Sequence, residues 1–391
     1  MQLTVRSRKG DIRPVTELFM KPKSWLAFEW VKGVSVIGMV LVHALYWTWT
    51  AHGSFLLPAE NVWFAAFKWG MFLGVCPLML PFLAGVAYRL RLCTQFLHSE
   101  KFLFGSLSKL FWQCIVLASL GYAINVISAG WYAIWAWNVL QLVALSLLII
   151  GVLYVQGSIW FVVTLGFLVL ALSDPLREWI PNEDRSELLR VILGDPSDWH
   201  QWSIFPWMAT VASGFVLADS YLRLDAKRFI RLCNVTGGVF FVFFAIVARG
   251  HIMPIFDPNN LIGPKLMQPP AMAVLGLLGL MLLVVGCFTV LQHRLQLPRY
   301  GIVRCFSGGI LEIYLVHMAV GVRLHDLVFS NVDQAALLTT LGQGWHPLLM
   351  IGFPTLLLLI SWAIGYVAIR FIYEKRFSVR LRKVGSSTQK S

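Results

Sequence analysis

Long apolar runs separated by short polar turns dominate this chain. Stretches of about 20 apolar residues, enough to cross roughly 30 Å of hydrocarbon as a helix, recur at 27–49, 62–88, 102–128, 132–154, 158–173, 203–221, 229–249, 271–290, 301–324 and 346–373. The fifth is the shortest. The pattern predicts an all-α fold, a polytopic integral membrane helical bundle of about ten transmembrane helices. A basic N-terminal tail (1–24) and a basic C-terminal tail (374–391) flank one transmembrane domain (25–373). No internal repeat of convincing length is visible, which counts mildly against a transporter built from inverted halves.

The connections carry the orientation. Lys and Arg recur in the N-terminal tail, in "RLRLCTQFLHSEK", "LRLDAKR" and "LQHRLQLPR", and in the C-terminal tail, which is every second connection if the tight "QGS" link is also cytoplasmic. By the positive-inside rule both termini are expected in the cytoplasm. The N-terminus is polar for over twenty residues and has no signal-peptide h-region. Two outer connections exceed a tight turn: "DPLREWIPNEDRSELLRVILGDPSDWHQW", with a short helix expected around Glu187 to Leu193, and "GHIMPIFDPNNLIGPKLMQPP". Long ordered loops serve as lids and binding surfaces or simply as spacers.

Composition agrees with this reading. The chain is 58% hydrophobic and 13% charged, leaving no sizeable soluble domain. Its net charge of +13 is spread over loops and tails, a pattern of membrane topology and not of a nucleic-acid stripe. Cys76, Cys114, Cys233, Cys287 and Cys305 fall within expected spans and Cys93 just beyond one, so a disulfide framework is not expected.

Ionisable residues at membrane depth are the functional candidates. In "WVKGVSVIGMVLVHALYW" an imidazole, His43, sits in an otherwise apolar run. Left unpartnered in hydrocarbon it would cost several kcal/mol. Glu29 and Lys32, three residues apart, share a helix face and either pair or anchor the span at the interface. Tyr314 and His317 share a face of the ninth span. His52, Lys68, His251 and Lys265 gather on the expected outer side, where His52, His251, His325 and His346 read more readily as solvated loop histidines than as catalytic ones. No metal-ligand spacing, Walker loop, GxGxxG or GxSxG elbow is present. The remaining chemistry is proton abstraction by an imidazole.

"FEWVKGVSVIGMVLVHAL" resembles the opening of the membrane acyltransferases, including the acyltransferase 3 family, in which an acidic residue, a basic residue and a glycine precede an apolar run and a histidine. Here these are Glu29, Lys32, Gly33 and His43. Glu replaces the commoner Asp and Lys the commoner Arg, and a Lys is not a bidentate clamp. "PLMLPFLAGVAYRL", "WSIFPWMATVASGFVLADS", "GPKLMQPPAMAVLGLLGLML" and "FSGGILEIYLVHMAV" are similar, in order, to further segments of the bacterial relatives of heparan-alpha-glucosaminide N-acetyltransferase. The third has two extra residues between Lys265 and Pro269.

The resemblance implies an acetyl-CoA-dependent O- or N-acyltransferase. Such an enzyme moves an acyl group, acetyl first among candidates, from cytoplasmic acyl-CoA to an extracytoplasmic sugar or glycan across a bacterial cytoplasmic membrane. It implies a catalytic His43, with His317 as the late-span histidine and His52 as a second candidate. Lys32, Arg89 and Arg91 are then expected to hold the CoA phosphates. Tryptophans 47, 49, 131, 135 and 202 would stack on a sugar or mark the interface. The competing reading is a transporter or flippase for an anionic or lipid-linked solute.

Overall fold

A computed structural model describes residues 4–6, 12–14, 25–52, 75–96, 102–134, 136–156, 158–194, 202–247, 269–295, 301–329 and 346–373. Apart from a three-residue antiparallel pair near the N-terminus (β1, Thr4–Arg6; β2, Ile12–Pro14), these residues form helices and their connections. The helices are α1 (Leu26–His52), α2 (Val75–Phe96), α3 (Phe102–Ala129), α4 (Val139–Gln156), α5 (Ile159–Trp179), α6 (Glu187–Leu193), α7 (Ile204–Arg223), α8 (Ala226–Val247), α9 (Ala271–Leu295), α10 (Ile302–Gly308), α11 (Ile310–Phe329) and α12 (His346–Val367). Among the described residues seven helices are long and apolar enough to cross a membrane, or eight if α10 and α11 form one bent span. The protein is an all-α membrane protein, and a helix stands at each of the ten expected spans.

Local chemistry sets the ends that hydropathy misplaced. The fourth span was expected from 132, but a 3-10 turn occupies Trp131–Ala133 and α4 starts at Val139. Asn138 caps it, its side-chain oxygen accepting from Leu140 N at 2.8 Å. The fifth span is full length, because Ser158 caps α5 and the helix runs on through Pro175 to Trp179. The helix of the second span extends past 88 to Phe96, which places Cys93 on the helix and not in a loop. The short helix expected around Glu187 to Leu193 is α6. The ninth span is not one continuous helix: α10 and α11 meet at 88° around Gly309. There Gly309 packs closely against Gly365, and Gly308 lies against the Ile369 side chain.

The chain folds as two compact units, Met1–Ala27 with Leu78–Leu295, and Phe28–Pro77 with Gln296–Ser391. In the first unit α7 is the buried axis: Trp207, Val211 and Phe215 are fully enclosed. Gly214 meets the backbone of Phe82 on α2, and Gly85 on α2 meets the backbone of Val211. This reciprocal contact brings two main chains together, which only small residues permit. Helices α8 and α9 run antiparallel by the same device, with Gly237 against Gly279 and Gly276 against Phe244.

Polar pairs fasten the same unit. Arg89 on α2 is buried and donates through Nε (2.9 Å) and NH2 (2.6 Å) to Asp219 on α7. Arg223, 60% exposed, pairs with the other carboxylate oxygen at 2.7 Å. Arg177 on α5 donates to the carbonyls of Leu193, Phe205 and Pro269 and to Ser203 Oγ, tying α5 to the chain before α7 and α9. Asp174 accepts from Ala271 N at 3.0 Å, at the N-terminus of α9 where a carboxylate is favoured.

Two stability predictions follow from this packing. Gly214→Ala, whose methyl would overlap Phe82, is expected to cost about 1–3 kcal/mol and to lower the thermal midpoint in detergent. Gly238→Ala, with open space around it, should hold or raise that midpoint; equal midpoints for both variants would refute the close approach. Asp219→Leu strands two guanidiniums, one of them buried, and should cost about 3–5 kcal/mol, whereas Arg223→Leu leaves the buried pair intact and should cost far less. Chemical denaturation of the two variants in detergent reads the difference.

Candidate functional site

In the second unit α1 supplies Glu29, Lys32 and His43, and α11 supplies Tyr314 and His317. His43 Nδ1 lies 2.9 Å from His317 Nε2, and the two rings meet edge to edge, with centroids 5.2 Å apart and planes 11° from parallel. His317 is fully buried and its Nδ1 lies 2.8 Å from the Ile313 carbonyl oxygen one turn earlier. His43 is half-buried. The two imidazoles singled out in the sequence, 274 residues apart, are thus in direct contact.

Aromatic rings frame the pair. Trp47, one turn beyond His43, is buried with its ring centroid 5.7 Å from His43 and 6.3 Å from His317. Tyr314 meets His317 edge-on at 5.7 Å. Gly321 follows His317 by one turn on the same face of α11, and the Trp47 indole fills the space a side chain there would need. Neither Gly321 nor the inward turn of Trp47 was legible in the sequence, where Trp47 reads as an interfacial or sugar-stacking ring.

A second polar cluster lies toward the start of α1. Lys32 Nζ is 2.8 Å from Glu29 Oε1 as the three-residue spacing suggests, and Ser307 on α10 donates to Glu29 Oε2 at 2.9 Å. Ser307 was missed, because a serine in a glycine-rich apolar run carries no signal of its partner. Gly33 faces the Val303 backbone and side chain, so the motif glycine lets α1 and α10 approach closely. Along α1, Lys32 and His43 are separated by about 16 Å of helix axis.

Arg89 and Arg91 belong to the first unit. Arg91 is exposed, while the Arg89 guanidinium is taken up by Asp219, a carboxylate the sequence reading passed over. The His52 side chain, Lys68 and Lys265 lie outside the described residues, as do His251 and the side chains of His325 and His346. Of the tryptophans proposed for sugar stacking, Trp131 exposes its ring, whereas Trp202 is buried against Trp207 at 4.8 Å. Among the described residues no three His, Cys, Asp or Glu side chains converge as a metal-ligand set.

Gly321→Ala should push the Trp47 indole off the paired imidazoles while leaving the helices in place. Diethyl pyrocarbonate modification of His43, followed by mass spectrometry, is then expected to speed up several-fold; an unchanged rate would mean that the indole does not cover the pair. No protein-family model and no curated protein matches the chain, so the geometry of this site and the motifs it unites carry the functional reading.

Proposed function

We propose that this protein is a membrane-embedded acyltransferase that moves an acyl group, acetyl in the first instance, from acyl-CoA to a carbohydrate acceptor on the opposite side of a bacterial cytoplasmic membrane. The observation that carries the reading is the contact of His43 with His317. It joins the two segments whose motifs most resemble the membrane acyltransferases, the opening Glu29-Lys32-Gly33-His43 and the late Tyr314-His317.

The dimensions support the same reading. An acyl-CoA whose phosphates meet Lys32 places its thioester further along α1, and the pantetheine arm is of the same order as the roughly 16 Å to His43. That distance is about half the hydrocarbon thickness, so the imidazole would stand near mid-depth, reachable by a donor from one side and an acceptor from the other. Glu29, held by Ser307, fixes the Lys32 ammonium by charge and hydrogen bond. In this role Lys32 is a point charge and not a fork. His43 then either deprotonates the acceptor hydroxyl or amine for direct attack, or accepts the acyl group and passes it on.

One observation favours a second reading. The bend between α10 and α11 is the kind of broken helix from which transporters build solute sites. A flippase or transporter for an anionic or lipid-linked solute would use such a break, with Lys32 and the histidines near it.

Purified full-length protein in detergent separates these readings. With acetyl-CoA supplied, thiol release or acyl-enzyme formation is expected in the parent. A fall of about 10²-fold or more is expected in His43→Ala and His43→Gln at matched thermal midpoint. Folded parent that neither binds nor consumes acyl-CoA, yet moves a labelled anionic solute in sealed vesicles, would replace the acyltransferase with the transporter.

A further inference from the structure

The two imidazoles form a directional chain. The Ile313 carbonyl has no proton to give, so His317 Nδ1, 2.8 Å away, is the donor. In the neutral ring this leaves Nε2 as a bare lone pair, and Nε2 is the atom 2.9 Å from His43 Nδ1. Two lone pairs do not meet at that distance, so His43 Nδ1 carries the proton and donates it. The neutral His43 ring then presents its own Nε2 as a lone pair. Among the described residues no hydrogen-bond partner engages that nitrogen, and it is not among the polar atoms sealed from solvent without one.

We propose that His317 is a positioning residue that holds His43 as its Nδ1–H tautomer, and that His43 Nε2 is the reacting atom of the acyl transfer proposed above, on which this role rests. The anchor of the chain is main chain, the carbonyl of Ile313 within α11, so it depends on the helix and not on a third side chain. Trp47 and Tyr314 keep the two rings in plane and register. A histidine whose other nitrogen is fixed by a hydrogen bond has its reactive nitrogen defined.

Both routes begin at that lone pair. As base, Nε2 takes the acceptor's proton while the acceptor oxygen or nitrogen bonds to the thioester carbon. The C–S bond breaks, and the leaving CoA thiolate collects the proton from Nε2. As nucleophile, Nε2 bonds to the acyl carbon and the thiolate leaves; the acceptor then displaces Nε2, and its proton goes to the thiolate. With the opposite tautomer, Nε2–H, neither route starts.

Nitrogen-15 NMR of full-length protein labelled at histidine tests the assignment, with the His43 signals identified by their loss in His43→Gln. The parent is expected to show His43 with Nδ1 protonated and Nε2 bare. His317→Phe, which keeps a ring but no acceptor, should erase that pattern and lower acyl-CoA turnover by about 10²-fold or more with little change in KM. His317→Gln, whose amide oxygen accepts from His43 Nδ1, should keep the pattern and recover part of the rate. An Nε2–H tautomer in the parent overturns the proposal, as does a folded His317→Phe variant that retains both pattern and rate. A parent with the expected pattern that consumes no acyl-CoA removes the acyltransferase and the role of Nε2 with it, while the hold of His317 on the tautomer stands.

Discussion

Removing a polar group from water without a partner costs more than most single contacts return, and the described helices are fastened where that cost is met. Arg89 and Asp219 join α2 to α7. Arg177 gathers three carbonyls and a hydroxyl from separate stretches of the first unit. Asn138 donates to Asn125 and to the Gly121 carbonyl, closing α3 onto the start of α4. In the second unit Ser307 and Glu29 join α10 to α1, and His43 and His317 join α1 to α11. Each pair links elements that the hydrophobic effect alone does not draw together in lipid, where the surrounding tails are as apolar as the helix faces.

Close packing complements the polar pairs. Where Gly85 and Gly214 let α2 and α7 touch main chain to main chain, the flexible Arg89 side chain is left the short reach to Asp219 that a buried ion pair requires. The second unit repeats the logic at the site. Gly33 brings α1 against α10, within reach of the hydrogen bond from Ser307 to Glu29. Gly321 makes room for Trp47, whose ring closes over the imidazoles. Glycines that look like dispensable small residues in an apolar run are thus the positions that let the chemistry-bearing side chains meet.

Hydropathy made the helices legible, since a span needs a continuous apolar run and basic turns punctuate it. It even exposed α6, because the acidic loop around Glu187 holds a short helical pattern. It did not reveal the break at Gly309, where Gly308 and Gly309 pack against Ile369 and Gly365, residues far along the chain that no local window contains. The site was legible one residue at a time: His43 and His317 stood out because imidazoles are costly at depth, and Glu29 and Lys32 because their spacing puts them on one face. Partners across helices were not legible. Arg89 read as a phosphate ligand because its spacing says nothing of Asp219, and Trp47 read as an interfacial ring because nothing local marks Gly321 as its seat.

The arrangement of the imidazoles bears on the choice between the two functional readings. The chain from the Ile313 carbonyl through His317 to His43 keeps one direction whether His43 is neutral or has taken a proton on Nε2, because its terminus is a main-chain oxygen that can only accept. Such a chain fixes which nitrogen of the neutral His43 is bare, and a fixed bare nitrogen is what a base or nucleophile needs at the start of each turnover. The bend between α10 and α11 fits this reading as well. It turns the chain so that Ser307, near the end of α10, meets the Lys32 end of α1, while His317 on α11 meets His43 about three turns further along the same helix.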